Sequence, residues 1–225
     1  MIELDASLPP ELVPLSWLIG VWEGSGVVNY PVGDETRNVE FGQRISFSHD
    51  GFPYLNYNSY TWVGEGQLEN QQPLVSETGY WRLSRELTES DPGPGMLPGV
   101  GPTRFSNADA VETLRNETGG FDIEVALLHP GGVSELYLGQ VKGPRIDLGT
   151  DAIMRSATAK DHSASTRLYG LVDNHLLWAW DIAALGQGRD HARMLALRDF
   201  ANGVDAGTTG LGRLHVGGDE ALRRT

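Results

Sequence analysis

Residues 121–148 read FDIEVALLHPGGVSELYLGQVKGPRIDL. Three runs rich in aliphatic and aromatic residues, Phe121–Leu128, Val133–Val141 and Arg145–Leu148, are parted by Pro130-Gly131-Gly132 and Lys142-Gly143-Pro144. Glycine reaches positive φ at no steric cost and proline presets the first corner of a turn, so short runs between such breaks read as strands joined tightly to their neighbours. Strands joined this way run antiparallel, because a parallel pair needs a long crossover. The same grammar extends both ways. Downstream, Ser165–Val172 and His175–Ala183 flank Asp173-Asn174, a tight hairpin turn. Upstream lie Ala110–Arg115, Leu74–Ser84, the aromatic run Tyr54–Val63, Val39–Ser48 and Trp22–Tyr30. Within Val39–Ser48, Phe41, Gln43, Ile45 and Phe47 share one face by the two-residue period of a strand.

About ten antiparallel strands with no parallel crossover close most naturally into an up-and-down β-barrel, which removes exposed edges and can hold one small ligand. The predicted fold is therefore all-β, with short helical segments near each end: Glu11–Ile19, limited by Pro14, and the pattern Ala184–Phe200. The barrel domain is expected over residues 1–200. Residues 86–109, with Asp91-Pro92-Gly93-Pro94-Gly95 and Pro98-Gly99-Val100-Gly101-Pro102, lose all periodicity and are expected to be a disordered insertion. Residues 201–225 are expected to form a flexible tail.

Composition narrows the chemistry. The 225 residues contain no cysteine, which removes disulfides, thiolate nucleophiles and cysteine-ligated metals. Seventeen Lys and Arg against thirty Asp and Glu give a net charge of −13, which repels nucleic acid and anionic membranes. No apolar run reaches the ~18–20 residues of a membrane span, and Met1–Pro10 lacks the order of a signal peptide, so a cytoplasmic protein is expected. No histidine pair has the spacing and glutamate of a zinc helix, and Gly24-Ser25-Gly26 lacks the strand-to-helix turn of a serine nucleophile. His129, in a Pro-Gly-Gly turn, reads as structural and bonded to a loop carbonyl. Glu77 and Glu135 carry carboxylates whose separation no spacing reveals, and Arg82 reads as a member of a structural ion pair.

The sharpest local motif is GxWxGxG: Gly20, Trp22, Gly24 and Gly26 at the start of the first strand, with glycines baring one strand face and the indole plugging the barrel floor. Together with Leu18-Ile19 before it, Tyr30-Pro31 after it, Ser76-Glu77-Thr78-Gly79-Tyr80, His129-Pro130-Gly131-Gly132-Val133-Ser134-Glu135, Ala157-Thr158-Ala159-Lys160 and Gly186-Gln187, it resembles the nitrobindin family of heme-binding, fatty-acid-binding-protein-like barrels. The resemblance covers most of the chain apart from the insertion and the tail.

It implies one ferric heme b per chain, iron ligation by His191 and a charge partner for a heme propionate in Lys160. It also implies nitric oxide binding and isomerisation of peroxynitrite to nitrate; strand alternation offers Tyr57, Tyr60 or Leu127 as the distal wall. The only partners implied are these small molecules, with a homodimer through the sheet exterior as an open question. Two departures stand out. Gly186-Gln187 precedes His191 by one residue fewer than the family spacing, and one residue is ~100° of helix rotation. Val32 stands where the family has threonine after Tyr30-Pro31. The alternative reading is a nitrobindin-like barrel without the heme ligand, carrying another apolar small molecule.

Overall fold

The computed structural model describes residues 8–32, 35–64, 71–184, 212–215 and 222–224. His191 lies outside the described residues, as does most of the expected C-terminal helix. Nine long antiparallel strands build the barrel: β1 (Gly20–Val32), β2 (Glu35–Ser48), β3 (Tyr54–Val63), β4 (Gln72–Leu83), β5 (Phe121–His129), β6 (Val133–Lys142), β7 (Arg145–Arg155), β8 (His162–Val172) and β9 (His175–Ala184). Each pairs with the next in chain order. Two short strands inside the tail, β10 (Gly212–His215) and β11 (Leu222–Arg224), each pair with both β9 and β1 and so close the ring. The expected meander is the observed one, and Asp173 and Asn174 turn β8 into β9 with φ of 49° and 62°. Both central residues have positive φ, as the turn type whose twist matches a hairpin requires.

Alternation places the core. Phe41, Gln43, Ile45 and Phe47 of β2 are all buried, as are Leu55, Tyr57, Ser59 and Thr61 of β3. At one end the lumen is stoppered by a 3-10 helix, Pro10–Leu18, which sends Leu12, Leu15 and Leu18 inward and packs on β3, β4 and β6. The GxWxGxG motif makes the junction. Gly20 takes φ of 137°, which turns the chain from helix into strand, and the buried Trp22 donates its indole N–H to the Leu18 carbonyl at 2.7 Å. Burying each large apolar side chain of this stopper contributes ~1.5–3 kcal/mol.

Two expectations are corrected. Ala110–Arg115 is not a strand: Asn107 accepts a hydrogen bond from the Ala110 N–H and starts a short helix, α1 (Ala108–Val111), followed by a 3-10 turn, Glu112–Leu114. An asparagine cap satisfies an otherwise orphaned N–H, and the local propensity of Ala-Asp-Ala outweighs the valine. Residues 86–109 are not without structure. Arg85, nearly buried, bonds Asp91 at 2.6 and 2.9 Å and Glu11 of the 3-10 helix at 3.3 Å, and Phe105 is buried beneath it. The Arg85 guanidinium and the Thr88 donors hold the Asp91 carboxyl well below the usual range against a smaller opposing effect of burial. A single buried arginine thus staples a Pro- and Gly-rich loop over the stoppered end.

Gly79 of β4 faces inward between Glu77 and Trp81, and a Cβ there would run into the Ala126 carbonyl of β5. Gly79→Ala should therefore lower stability by about 1–3 kcal/mol, read as a reduced urea midpoint, with strands β4 and β5 losing amide-exchange protection first.

Candidate functional site

Toward the end of the barrel away from the 3-10 helix, the lumen changes from aromatic to polar. Arg167 of β8 reaches across to Glu77 of β4, Nη1 donating to Oε2 at 2.8 Å and Nη2 to Oε1 at 2.9 Å. Both side chains are buried. Three strands separate β4 from β8 along the sheet, so this fork joins opposing walls. Tyr57 of β3 donates to Glu77 at 3.1 Å, and Arg167 Nε donates to the Tyr137 hydroxyl of β6 at 3.0 Å. Tyr137 and Ser165 hydroxyls each donate to Oε1 of Glu135 at 2.7 Å.

The chain of bonds ends at two imidazoles. His129, last residue of β5, places Nε2 2.6 Å from Oε2 of Glu135, while its Nδ1 lies 3.8 Å from Oε1 of Glu77. His162, first residue of β8, brings Nε2 to 2.8 Å from Oε1 of Glu135 without meeting hydrogen-bond geometry. Trp180 of β9 packs against both rings and takes the Arg167 guanidinium over its face at 4.1 Å. Its own indole N–H is buried with no partner among the described residues.

Burial alone would raise both carboxyl pKa values, yet both are held low. The charge and hydrogen bonds of Arg167 do this for Glu77; the close polar contacts of His129 and His162 and the charge of Arg167 do it for Glu135. Burial drives Tyr57, Tyr137 and Tyr169 upward, so these phenols remain protonated donors.

The expected residues sort themselves against this geometry. Tyr57 and Leu127 face the lumen, Tyr57 as a partner of Glu77. Tyr60 does not: it alternates with the buried Ser59 and Thr61, is 40% exposed and stacks on Trp62 outside the barrel. His129 bonds a carboxylate rather than a loop carbonyl. Arg82 is an ion-pair member with Glu124, on the outer face. Lys160 is exposed on the loop between β7 and β8, two residues before His162. Gly24 and Gly26 stand opposite Gln43 and Phe41 in register.

Arg167 went unremarked in the sequence, although Ser165, Arg167 and Tyr169 form a period-two set, and His162, which the sequence places in a loop before Ser165–Val172, is the first residue of β8. A depression of about 490 Å³ is lined by Arg44, Ser46, Asn58, Tyr60, Thr78 and Leu128 together with Ser59, Glu77 and His129 of the lumen network.

A heme would fit the polar end. Phe41 and Trp180 are buried there, with Val28 and Ile182 packed against the core, and they offer an apolar wall for a flat ring system. The unbonded donor of Trp180 lies buried in the same region. Beyond Arg145–Gly149, β7 and β8 have no paired residues, and His162 pairs with Ala184. β9 therefore finishes at this end, at Ala184.

Comparison with known proteins agrees. The sequence profile of the THAP4-like, heme-binding beta-barrel domain matches residues 11–197. The chain is 66% identical over 193 residues to a peroxynitrite isomerase of Clavibacter michiganensis subsp. michiganensis (strain NCPPB 382), covering 85% of this chain and 96% of that relative. A peroxynitrite isomerase of Paenarthrobacter aurescens (strain TC1) is 52% identical over 186 residues, covering 83% and 92%. A crystal structure of Rv2717c from M. tuberculosis superposes with a TM-score of 0.58 at 26% identity, over 97% of this chain and 99% of that one.

Removing the cation strands two buried carboxylates, so Arg167→Met should cost about 3–5 kcal/mol in urea unfolding at neutral pH. Both glutamates have lower pKa values folded than unfolded. Their contribution is thus complete above the unfolded value of about 4.3 and is lost as pH falls through the folded values. Glu135→Gln should flatten the acid limb of a stability–pH curve.

Proposed function

The chain belongs to the THAP4-like, heme-binding β-barrel (nitrobindin) family, and on that premise we propose that it holds one ferric heme b at the polar end of the barrel, binds nitric oxide there and isomerises peroxynitrite to nitrate. The observation that carries the reading is the 66% identity, across nearly the whole barrel, to a relative named for that isomerisation. Nothing observed favours a heme-free carrier.

A bound ferric heme would supply a Lewis-acidic iron for a small anionic ligand. His191 is the iron ligand in this reading, and Lys160 provides a positive charge for a propionate at the rim. The side chains of Val28, Phe41, Trp180 and Ile182 cover the ring system and keep water away. The Glu77–Arg167 fork and its phenols hold those walls at a fixed separation. No covalent bond to a protein side chain is needed, because the substrate and product anions contain the same atoms.

Titrating the purified chain with hemin should give a saturable, one-to-one Soret shift. His191→Ala should abolish the proximal-histidine spectrum, and Lys160→Ala should weaken binding a few-fold. A chain that shows no saturable shift does not bind heme, and the reading fails with it.

A further inference from the structure

The wall of the barrel is interrupted beside Glu77 and His129. β4 pairs with β5 only from Leu83, opposite Ile123, to Thr78, opposite Leu128, whereas its pairing with β3 continues to Gln72. Residues 72–77 therefore have a strand on one side and none on the other among the described residues. Two prolines account for the notch. Pro130 follows His129 and turns the chain toward β6, and Pro73 has no N–H to offer a neighbouring strand.

The depression of about 490 Å³ lies at this notch, and its volume is within the range of small-molecule sites. Ser76 and Thr78 line it from β4, and Leu128, His129 and Pro130 line it from the end of β5. Glu77 and His129 contribute to it as well as to the buried network, where His129 Nδ1 lies 3.8 Å from Glu77 Oε1. The same two residues thus touch the depression and the ion-paired layer. His162 does not line the depression, although its side chain is 11% exposed against 10% for His129. Four strands, β5 to β8, lie between β4 and β9, which sets the notch across the ring from the end of β9.

Charge decides what the notch can pass. Arg44 at its rim lies 3.3 Å from Glu23, and inside it the carboxylates of Glu77 and Glu135 outnumber the Arg167 guanidinium. An anion meets no excess positive charge on this path. A cation meets carboxylates that already hold Arg167. Hydroxyls from Ser46, Ser76 and Thr78, the Asn58 amide and the Leu128 side chain make up much of the remaining lining, and none of these carries charge.

We propose that the notch between residues 76–78 and residues 128–130 is a side entrance to the lumen for small uncharged molecules, with Leu128 setting its width. The inference rests on the proposed function for one ligand, nitric oxide, which is small and uncharged and which enters here by a path apart from the end that β9 reaches. The entrance itself needs no heme.

The test uses the full-length chain without added hemin and diethyl pyrocarbonate, an uncharged acylating reagent, as the probe. An imidazole nitrogen attacks one carbonyl and forms an N–C bond, while ethyl carbonate leaves with the proton and breaks down to ethanol and carbon dioxide. Glu135 accepts from Nε2 of His129, so Nδ1 is the atom that reacts. Mass mapping of peptides reads each histidine separately. Leu128 is 52% exposed, so its replacement leaves the core intact. Leu128→Trp should slow the labelling of His129 several-fold, and Leu128→Ala should speed it. His162 should be labelled at one rate in all three chains, which separates a local entrance from general loosening. Near-UV circular dichroism confirms that each variant is folded.

An unlabelled His129 in the wild-type chain overturns the proposal, and so does a rate that ignores both variants or changes equally at His162. Hemin affinity and the rate of nitric oxide association are scored separately on the loaded chain. If labelling follows Leu128 but hemin does not bind, the entrance stands and the proposed function fails. If hemin binds with unchanged affinity and nitric oxide association ignores Leu128, the proposed function stands and the entrance is not the route of that ligand.

Discussion

One ion pair crosses the inside of this barrel, and most of the interior is arranged around it. Arg167 and Glu77 lie 90 residues apart in the chain and join opposing walls through two parallel hydrogen bonds. A buried pair of this kind contributes little net stability relative to well-packed apolar residues, yet breaking it is expensive. Its effect is on arrangement. A guanidinium that satisfies Glu77 with one edge can reach Tyr137 only with Nε, and Tyr137 then bonds Glu135. Each bond fixes the acceptor for the next, so the position of one arginine propagates through β4, β6 and β8 to the histidines at the strand ends.

That chain of bonds divides the lumen into two ends with different physics. Below it, Trp22, Phe47, Trp81 and the leucines of the 3-10 helix fill space and exclude water. The Arg85–Asp91–Glu11 cluster ties the long 86–109 loop to this stoppered end, away from the imidazoles. Above it, side chains with unspent hydrogen-bonding capacity face the end where β9 finishes. A ligand is accommodated there without dismantling the packed floor, because the polar layer carries its own partners and the apolar stopper does not depend on what sits beyond it.

The fold was legible because its signals are local. Turn residues between short runs gave the meander, and period-two alternation gave the core face of β2, including Gln43 among three apolar neighbours. The failures have equally local causes. Ala110–Arg115 carries a strand-like valine but also an asparagine cap three residues before Ala110, and the cap prevailed. The 86–109 loop has the composition of disorder, but its order rests on Arg85, outside the segment and partnered with Glu11 74 positions away in sequence. The site was half legible. Glu77, His129 and Glu135 stood out in motifs, whereas Arg167 lies in a strand whose two faces both include apolar residues, Leu168 and Tyr169. Only the cross-lumen pairing shows which face is inside.

Net charge misleads about such a site. A chain with thirteen excess negative charges repels polyanions, which present many charges over a large surface. A small monoanion meets a different field. At physiological ionic strength exposed charges are screened over ~8 Å, while buried groups are screened far less and act at contact distance. Inside the barrel the groups at contact distance are two carboxylates, one guanidinium and two imidazoles. A small ligand in the lumen therefore meets a handful of neighbouring groups rather than the net charge of the chain. Those groups owe their placement to the fork between Glu77 and Arg167.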